Sequence, residues 1–168
     1  MGVLVGVVSN PAWAGGYHNI PGTACAAYNN YQANALERSH VRIYNPPTNG
    51  QSIWVICPVQ RVEEDVVSTT NHLHGYINVF FSSQSASSAE VVCIYREFDY
   101  NTTHEPGGAL TGVNDSVTVT ATRPITVPGV DDVAFLLTND QNYAYSYWTA
   151  TCKLAPGTGI NSIDADQE

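Results

Sequence analysis

The chain has 168 residues, 15 of them acidic and 6 basic, for a formal net charge of -9 with Lys153 as its one lysine. That length supports one domain with a core of its own, and the charge argues against phosphate backbones and anionic bilayers, so no nucleic-acid partner is expected. Charged residues make up only 12% of the chain while Ser, Thr, Asn, Gln and Tyr are abundant, a composition typical of uncharged β surfaces that face an extracellular medium.

Residues 2–8 (GVLVGVV) form a short apolar run, followed by Asn10, Pro11 and the small-x-small triplet Ala12-Trp13-Ala14. This pattern predicts a signal peptide cleaved after Ala14, although no basic residue precedes Arg38. The competing expectation is a first strand, paired within the domain or donated to a neighbouring subunit. Residues 1–14 are therefore expected to be a leader remnant or a donated strand, and 15–168 a single domain. No stretch has the length needed to span a bilayer.

Beyond this segment, runs rich in Val, Ile, Thr and aromatic residues alternate with Pro, Gly, Asn and Ser clusters, the rhythm of an all-β domain. One helical turn is expected within 29–38. Strands are predicted at 39–44, 51–57, 72–82, 89–98, 115–122, 131–138 and 143–154. Seven or more antiparallel strands predict a two-sheet β-sandwich, immunoglobulin-like or jelly-roll-like. The run Ile53-Trp54-Val55-Ile56-Cys57 is apolar at both parities, which predicts a central strand covered on both faces.

Alternate side chains of a strand point to opposite faces. Leu73, Ile77, Val79 and Phe81 make one face of their strand apolar, so His72, His74, Tyr76 and Asn78 are expected on the outer one. Val117, Val119 and Ala121 face inward by the same reasoning. In the last predicted strand, an inward Cys152 sends Tyr143, Tyr145 and Tyr147 outward. These three tyrosines, with Tyr76, are the candidate binding residues, because each offers a flat apolar ring with a polar tip, suited to a sugar or another protein. Cross-strand pairing that only stabilises the sheet is the competing role.

Four cysteines allow three pairings. Cys93 and Cys152 lie within long strands separated by two others, as in sandwiches pinned through the core, and Cys25 lies ahead of the strand that ends at Cys57. The expected disulfides are therefore Cys25–Cys57 and Cys93–Cys152, each stabilising by roughly 3.5 to 4 kcal/mol on the loop-closure model. No Cys-x-x-Cys pair supports a zinc site.

Gly22-Thr23-Ala24-Cys25 with Tyr28-Asn29, Tyr44-Asn45, Trp54-Val55-Ile56-Cys57-Pro58-Val59, and Cys152-Lys153-Leu154 followed by Pro156-Gly157-Thr158-Gly159-Ile160-Asn161-Ser162 resemble a group of small exported bacterial β-rich proteins with paired cysteines. The resemblance spans residues 22–168 and its motifs are structural. It implies export to the medium or cell surface, paired cysteines and a β domain, and no ligand or reaction.

Reactive constellations are sparse. His72 and His74 share one strand face at a spacing that lets both reach one metal ion, with His40 or His104 as a third ligand. Asp131, Asp132, Asn139, Asp140 and Asn142 are expected in turns, where their oxygens suit calcium. Glu97 and Asp99 share a face as a carboxylate pair. No Gly-x-Ser-x-Gly elbow, phosphate loop or His-Glu-x-x-His helix is present. The leading expectation is a secreted, non-catalytic β-sandwich that binds a carbohydrate, a protein or its own copies through an aromatic face. The rivals are a filament subunit that donates residues 2–9, and a metal protein centred on His72 and His74.

Overall fold

The alternation of Val, Ile and aromatic residues with polar ones builds eleven strands among the residues described by a computed structural model, namely 18–59, 73–99, 113–124, 129–137 and 146–167. They are β1 (His18–Pro21), β2 (Ala26–Ala27), β3 (Glu37–Arg38), β4 (Ile43–Asn45), β5 (Ile53–Val59), β6 (Leu73–Phe81), β7 (Glu90–Asp99), β8 (Val113–Thr122), β9 (Gly129–Leu137), β10 (Ser146–Leu154) and β11 (Thr158–Gln167). The helical turn expected within 29–38 is a 3-10 segment at Asn30–Ala35, started by Asn29, whose side chain accepts from the Gln32 N–H.

The strands form two antiparallel sheets. One runs β3-β4-β11-β6-β9, with β1 laid end to end with β4 along the same edge of β11; the other runs β2-β5-β10-β7-β8. Counting β4 as first and β11 as eighth, the orders are 1-8-3-6 and 2-7-4-5. This is the jelly roll, in which late strands insert between early ones. The immunoglobulin alternative does not apply.

The core fills the space between the sheets. Ile53, Val55 and Cys57 on β5, Val91, Cys93 and Tyr95 on β7, and Ala150, Cys152 and Leu154 on β10 meet Ile77, Val79 and Phe81 of β6 and Ile160 and Ile163 of β11, all buried. The Tyr95 ring stacks on Phe135 of β9, with centroids 3.7 Å apart, so one aromatic pair bridges the two layers.

Both expected disulfides form, Cys25–Cys57 and Cys93–Cys152. Their placement corrects the sequence reading. Cys93 and Cys152 are cross-strand partners on the adjacent β7 and β10, with Cα atoms 4.0 Å apart, so the bond ties neighbours within one sheet and does not pin sheet to sheet. The reason is topological: β10 returns between β5 and β7, and two strands distant in sequence become neighbours. β5 is likewise not central. It lies between two-residue β2 and β10, and its second apolar parity, Trp54 and Ile56, is only half-buried.

The quoted Tyr44-Asn45 and Pro156-Gly157 motifs have structural roles. Asn45 is fully buried, donates its amide to the carbonyls of Gln51 (3.0 Å) and Leu154 (2.9 Å), and accepts from Asn49. It thereby ties β4, the approach to β5, and the end of β10 with no unmet polar demand. Gly157 turns the chain between β10 and β11 at φ +82°, and a Cβ there would lie 2.8 Å from the Ser85 Cα, so the turn requires glycine.

Candidate binding face on the six-stranded sheet

The last strand, β11, was not among the predicted elements, yet it is central to its sheet. Its apolar residues Ile160 and Ile163 are three apart because a bulge at Asn161 breaks the period of two. Asn161, next to the inward Ile160, has its side chain on the outer face beside β6. There Arg42 Nε donates to Asn161 Oδ1 (2.6 Å), Asn161 Nδ2 to Asn78 Oδ1 (2.5 Å), and Asn78 Nδ2 to Asp132 Oδ1 (2.6 Å). Four side chains from the β4 approach, β11, β6 and β9 thus make one continuous chain across the sheet. It begins on a cation and ends on a carboxylate, an order that polarises every bond in the same sense.

Aromatic rings lie beside this chain. The Arg42 guanidinium carbon sits 3.5 Å from the Phe80 ring centroid, a cation–π contact, and the Tyr44 ring is tilted against Phe80 at 6.0 Å. Gly159 separates Tyr44 and Phe80 in the cross-strand row. A Cβ on Gly159 would lie 3.2 Å from the Arg42 Cδ and 2.5 Å from the Ile43 carbonyl oxygen, so its bare backbone is what lets the arginine stem pass. Farther along β6, Tyr76 is 46% exposed between Asp164 and Ala134, with exposed Leu136 and Val130 on β9. Burial raises the Asp164 carboxyl above the usual carboxylate range, the Ser162 hydroxyl opposes this, and nearby Asp132 adds to it. At the β3–β4 end the face opens into a cleft of about 330 Å³ lined by Glu37, Arg38, Ser39, Arg42, Tyr44, Phe80 and Ser82.

A second cleft, of about 220 Å³, lies on the outer face of the five-stranded sheet. Tyr28, Trp54, Ile94, Arg96 and Thr151 line it. This is the physical origin of the two-sided apolar pattern in β5: Trp54 packs outward, under Tyr28, whose backbone N–H bonds the Trp54 carbonyl at 2.8 Å.

The predicted site residues are thereby separated. Cys152 faces inward, as parity predicted, and Tyr76 is on an outer face. Tyr147, opposite Phe98 in β10, belongs to the other sheet, so Tyr76 and Tyr147 lie on different sheets; Tyr143 and Tyr145 lie outside the described residues. His74 is in β6, opposite Leu136 and Asp166, while His72 and His104 fall outside the described residues, as do residues 2–9. Asp131 and Asp132 are consecutive in strand β9 rather than in a turn, which sends their side chains to opposite faces; Asn139, Asp140 and Asn142 are outside the described residues. Among the described residues no three His, Cys, Asp or Glu side chains converge as a metal site, and no helix is long and apolar enough to cross a membrane.

No family model matches this chain, and no curated protein matches it. Among solved structures it is similar to the C-terminal CBM6 of LamC, a marine laminarinase of Zobellia galactanivorans, at 12% identity and a TM-score of 0.51, covering 90% of this chain and 99% of that one. A carbohydrate-binding module, CBM6cm-2, of Cellvibrio mixtus lichenase 5A, solved with cellotriose, matches at 11% identity and a TM-score of 0.44, covering 90% and 97%. The likeness to the first is one of fold, and the chain is a two-sheet β-sandwich of that architecture.

Proposed function

We propose that this protein is a non-catalytic module of the extracellular space or cell surface that binds a carbohydrate on the outer face of its six-stranded sheet. The observation that carries this reading is the chain Arg42–Asn161–Asn78–Asp132 beside the exposed ring of Tyr76. Planar amides, a guanidinium and a carboxylate locked to one another present further donors and acceptors at fixed spacing, which matches the hydroxyls of a sugar. An adjacent tyrosine supplies an apolar surface for the C–H face of the ring. The fold likeness to a CBM6 supports the reading, and two disulfides fit an oxidising compartment.

The test is affinity electrophoresis and calorimetry against a panel of soluble plant and algal polysaccharides, with the wild type and Asn78→Ala. Removing Asn78 breaks the chain at its middle, so affinity for a bound polysaccharide should fall about tenfold, the effect of roughly 1.4 kcal/mol. The melting temperature should shift by only about 2–4 °C. Retention of full affinity by Asn78→Ala would remove this face as the site.

A further inference from the structure

We propose that the saccharide taken by this face is acidic, with a uronate carboxylate seated in the cleft between Arg38 and Arg42; this rests on the reading of the face as a carbohydrate site. The chain has only 6 basic residues against 15 acidic ones, and Arg38 and Arg42 line the same cleft. Neither forms an ion pair with a carboxylate among the described residues. Arg42 is half-buried, its Nε is committed to the neutral amide of Asn161, and its flat face rests on Phe80. The guanidinium nitrogens beyond Nε have no protein partner among the described residues. Burial lowers its affinity for a proton, with Tyr44 acting weakly the other way, yet a guanidinium stays charged. A partly desolvated cation without a counter-charge is costly to the free protein, and a ligand anion offsets that cost.

Arg38 is fixed from behind. One of its terminal nitrogens donates to the Cys25 carbonyl at 2.7 Å, and Cys25 is itself tethered to Cys57. That leaves most of its five donors for a ligand, in the planar fork that suits a carboxylate. Glu37 lines the same cleft and is exposed, as is Arg38, so its carboxylate offsets one of the two positive charges and leaves the cleft with a net positive one. The net charge of -9 acts over the whole surface, and beyond about 8 Å physiological salt screens it; within the cleft the two arginines dominate. At the other end, Asp132 and Asp164 disfavour a second anion, so the face should take the charged sugar at the β3–β4 side and uncharged hydroxyls toward β9.

The experiment compares polygalacturonate and alginate with their fully esterified forms and with a neutral β-glucan, by calorimetry on wild type, Arg42→Gln, Arg38→Gln and Arg96→Gln, each checked for an unchanged melting temperature. A polyuronate should bind the wild type at least tenfold more tightly than its ester. Arg42→Gln should reduce that preference to about twofold or less, Arg38→Gln should do so if Arg42→Gln fails to fold, and Arg96→Gln, on the opposite sheet, should preserve it. Equal binding of acid and ester, or binding of the neutral glucan alone, overturns the uronate assignment and leaves the carbohydrate reading standing. No binding of any polysaccharide overturns both.

Discussion

The two sheets present outer faces of different construction. On the six-stranded sheet the amides, the arginine and the carboxylate are hydrogen-bonded to one another across four segments. On the five-stranded sheet the outer positions of β8 are the exposed Ser116, Thr118, Thr120 and Thr122, and β10 adds exposed Lys153; its cleft is built from Tyr28, Trp54 and Ile94. Covalent tethering is distributed the other way. Both disulfides lie on the five-stranded side: Cys93–Cys152 joins neighbouring strands β7 and β10, and Cys25–Cys57 ties β5 to the residue just ahead of β2. One sheet is thus cross-linked from within, and the other holds its outer side chains in register through polar contacts. A preorganised polar face binds with less ordering cost than side chains that a ligand must first order, and this is what favours the six-stranded sheet in the proposed reading.

Each part of this contrast can be broken separately. The largest effect is expected from Cys93→Ala combined with Cys152→Ala, which should lower unfolding free energy by about 2–5 kcal/mol, read from the urea midpoint. If the disulfides only brace the scaffold, polysaccharide affinity at 20 °C should change less than threefold in the molecules that remain folded. Next, Tyr76→Ala should weaken polysaccharide binding about three- to tenfold, the loss of one ring contact. Tyr28→Ala removes a ring that is 63% exposed on the opposite face and should leave affinity within twofold. The reverse outcome would transfer the binding face to the five-stranded sheet.

The smallest effect concerns Asp164. Its carboxyl is raised in the folded state, first by burial, so the fold favours its neutral form. Between the ordinary carboxylate value and the raised one, the folded protein holds a proton that the unfolded chain has released, and stability falls as pH rises through that window. The cost is complete above the folded value and absent below the unfolded one. Asp164→Asn should therefore raise stability near neutral pH by a few tenths of a kcal/mol, after allowance for solvent screening, and flatten the acid limb of a melting temperature against pH curve.

Local pattern was enough for much of this architecture. Period-two alternation located most of the long strands, put Ile77, Val79 and Cys152 inward, and put Tyr76 and Asn78 outward, because side-chain direction along a strand is a property of the backbone alone. Strand context also selected the correct cysteine pairs. The pattern failed where geometry departs from that period. Ile160 and Ile163 are out of phase across the bulge, so β11 and its Asn161 were missed, even though the Gly159-Ile160-Asn161-Ser162 motif stood out. Trp54 had the opposite effect: a residue that lines an outer cleft made β5 read as doubly covered.

The β class and the inward or outward sense of most strand residues were legible in the sequence, since these depend on near neighbours; the cysteine pairs were chosen correctly, but on a sheet-to-sheet geometry that the fold does not have. Long-range pairing set the rest: Cys93 and Cys152 sit side by side in one sheet, Tyr76 and Tyr147 belong to opposite sheets, and Arg42 reaches Asn161, 119 positions away. The insertion of β10 and β11 between earlier strands creates those neighbours, and strand order in a sheet is set by long-range pairing that no local periodicity encodes.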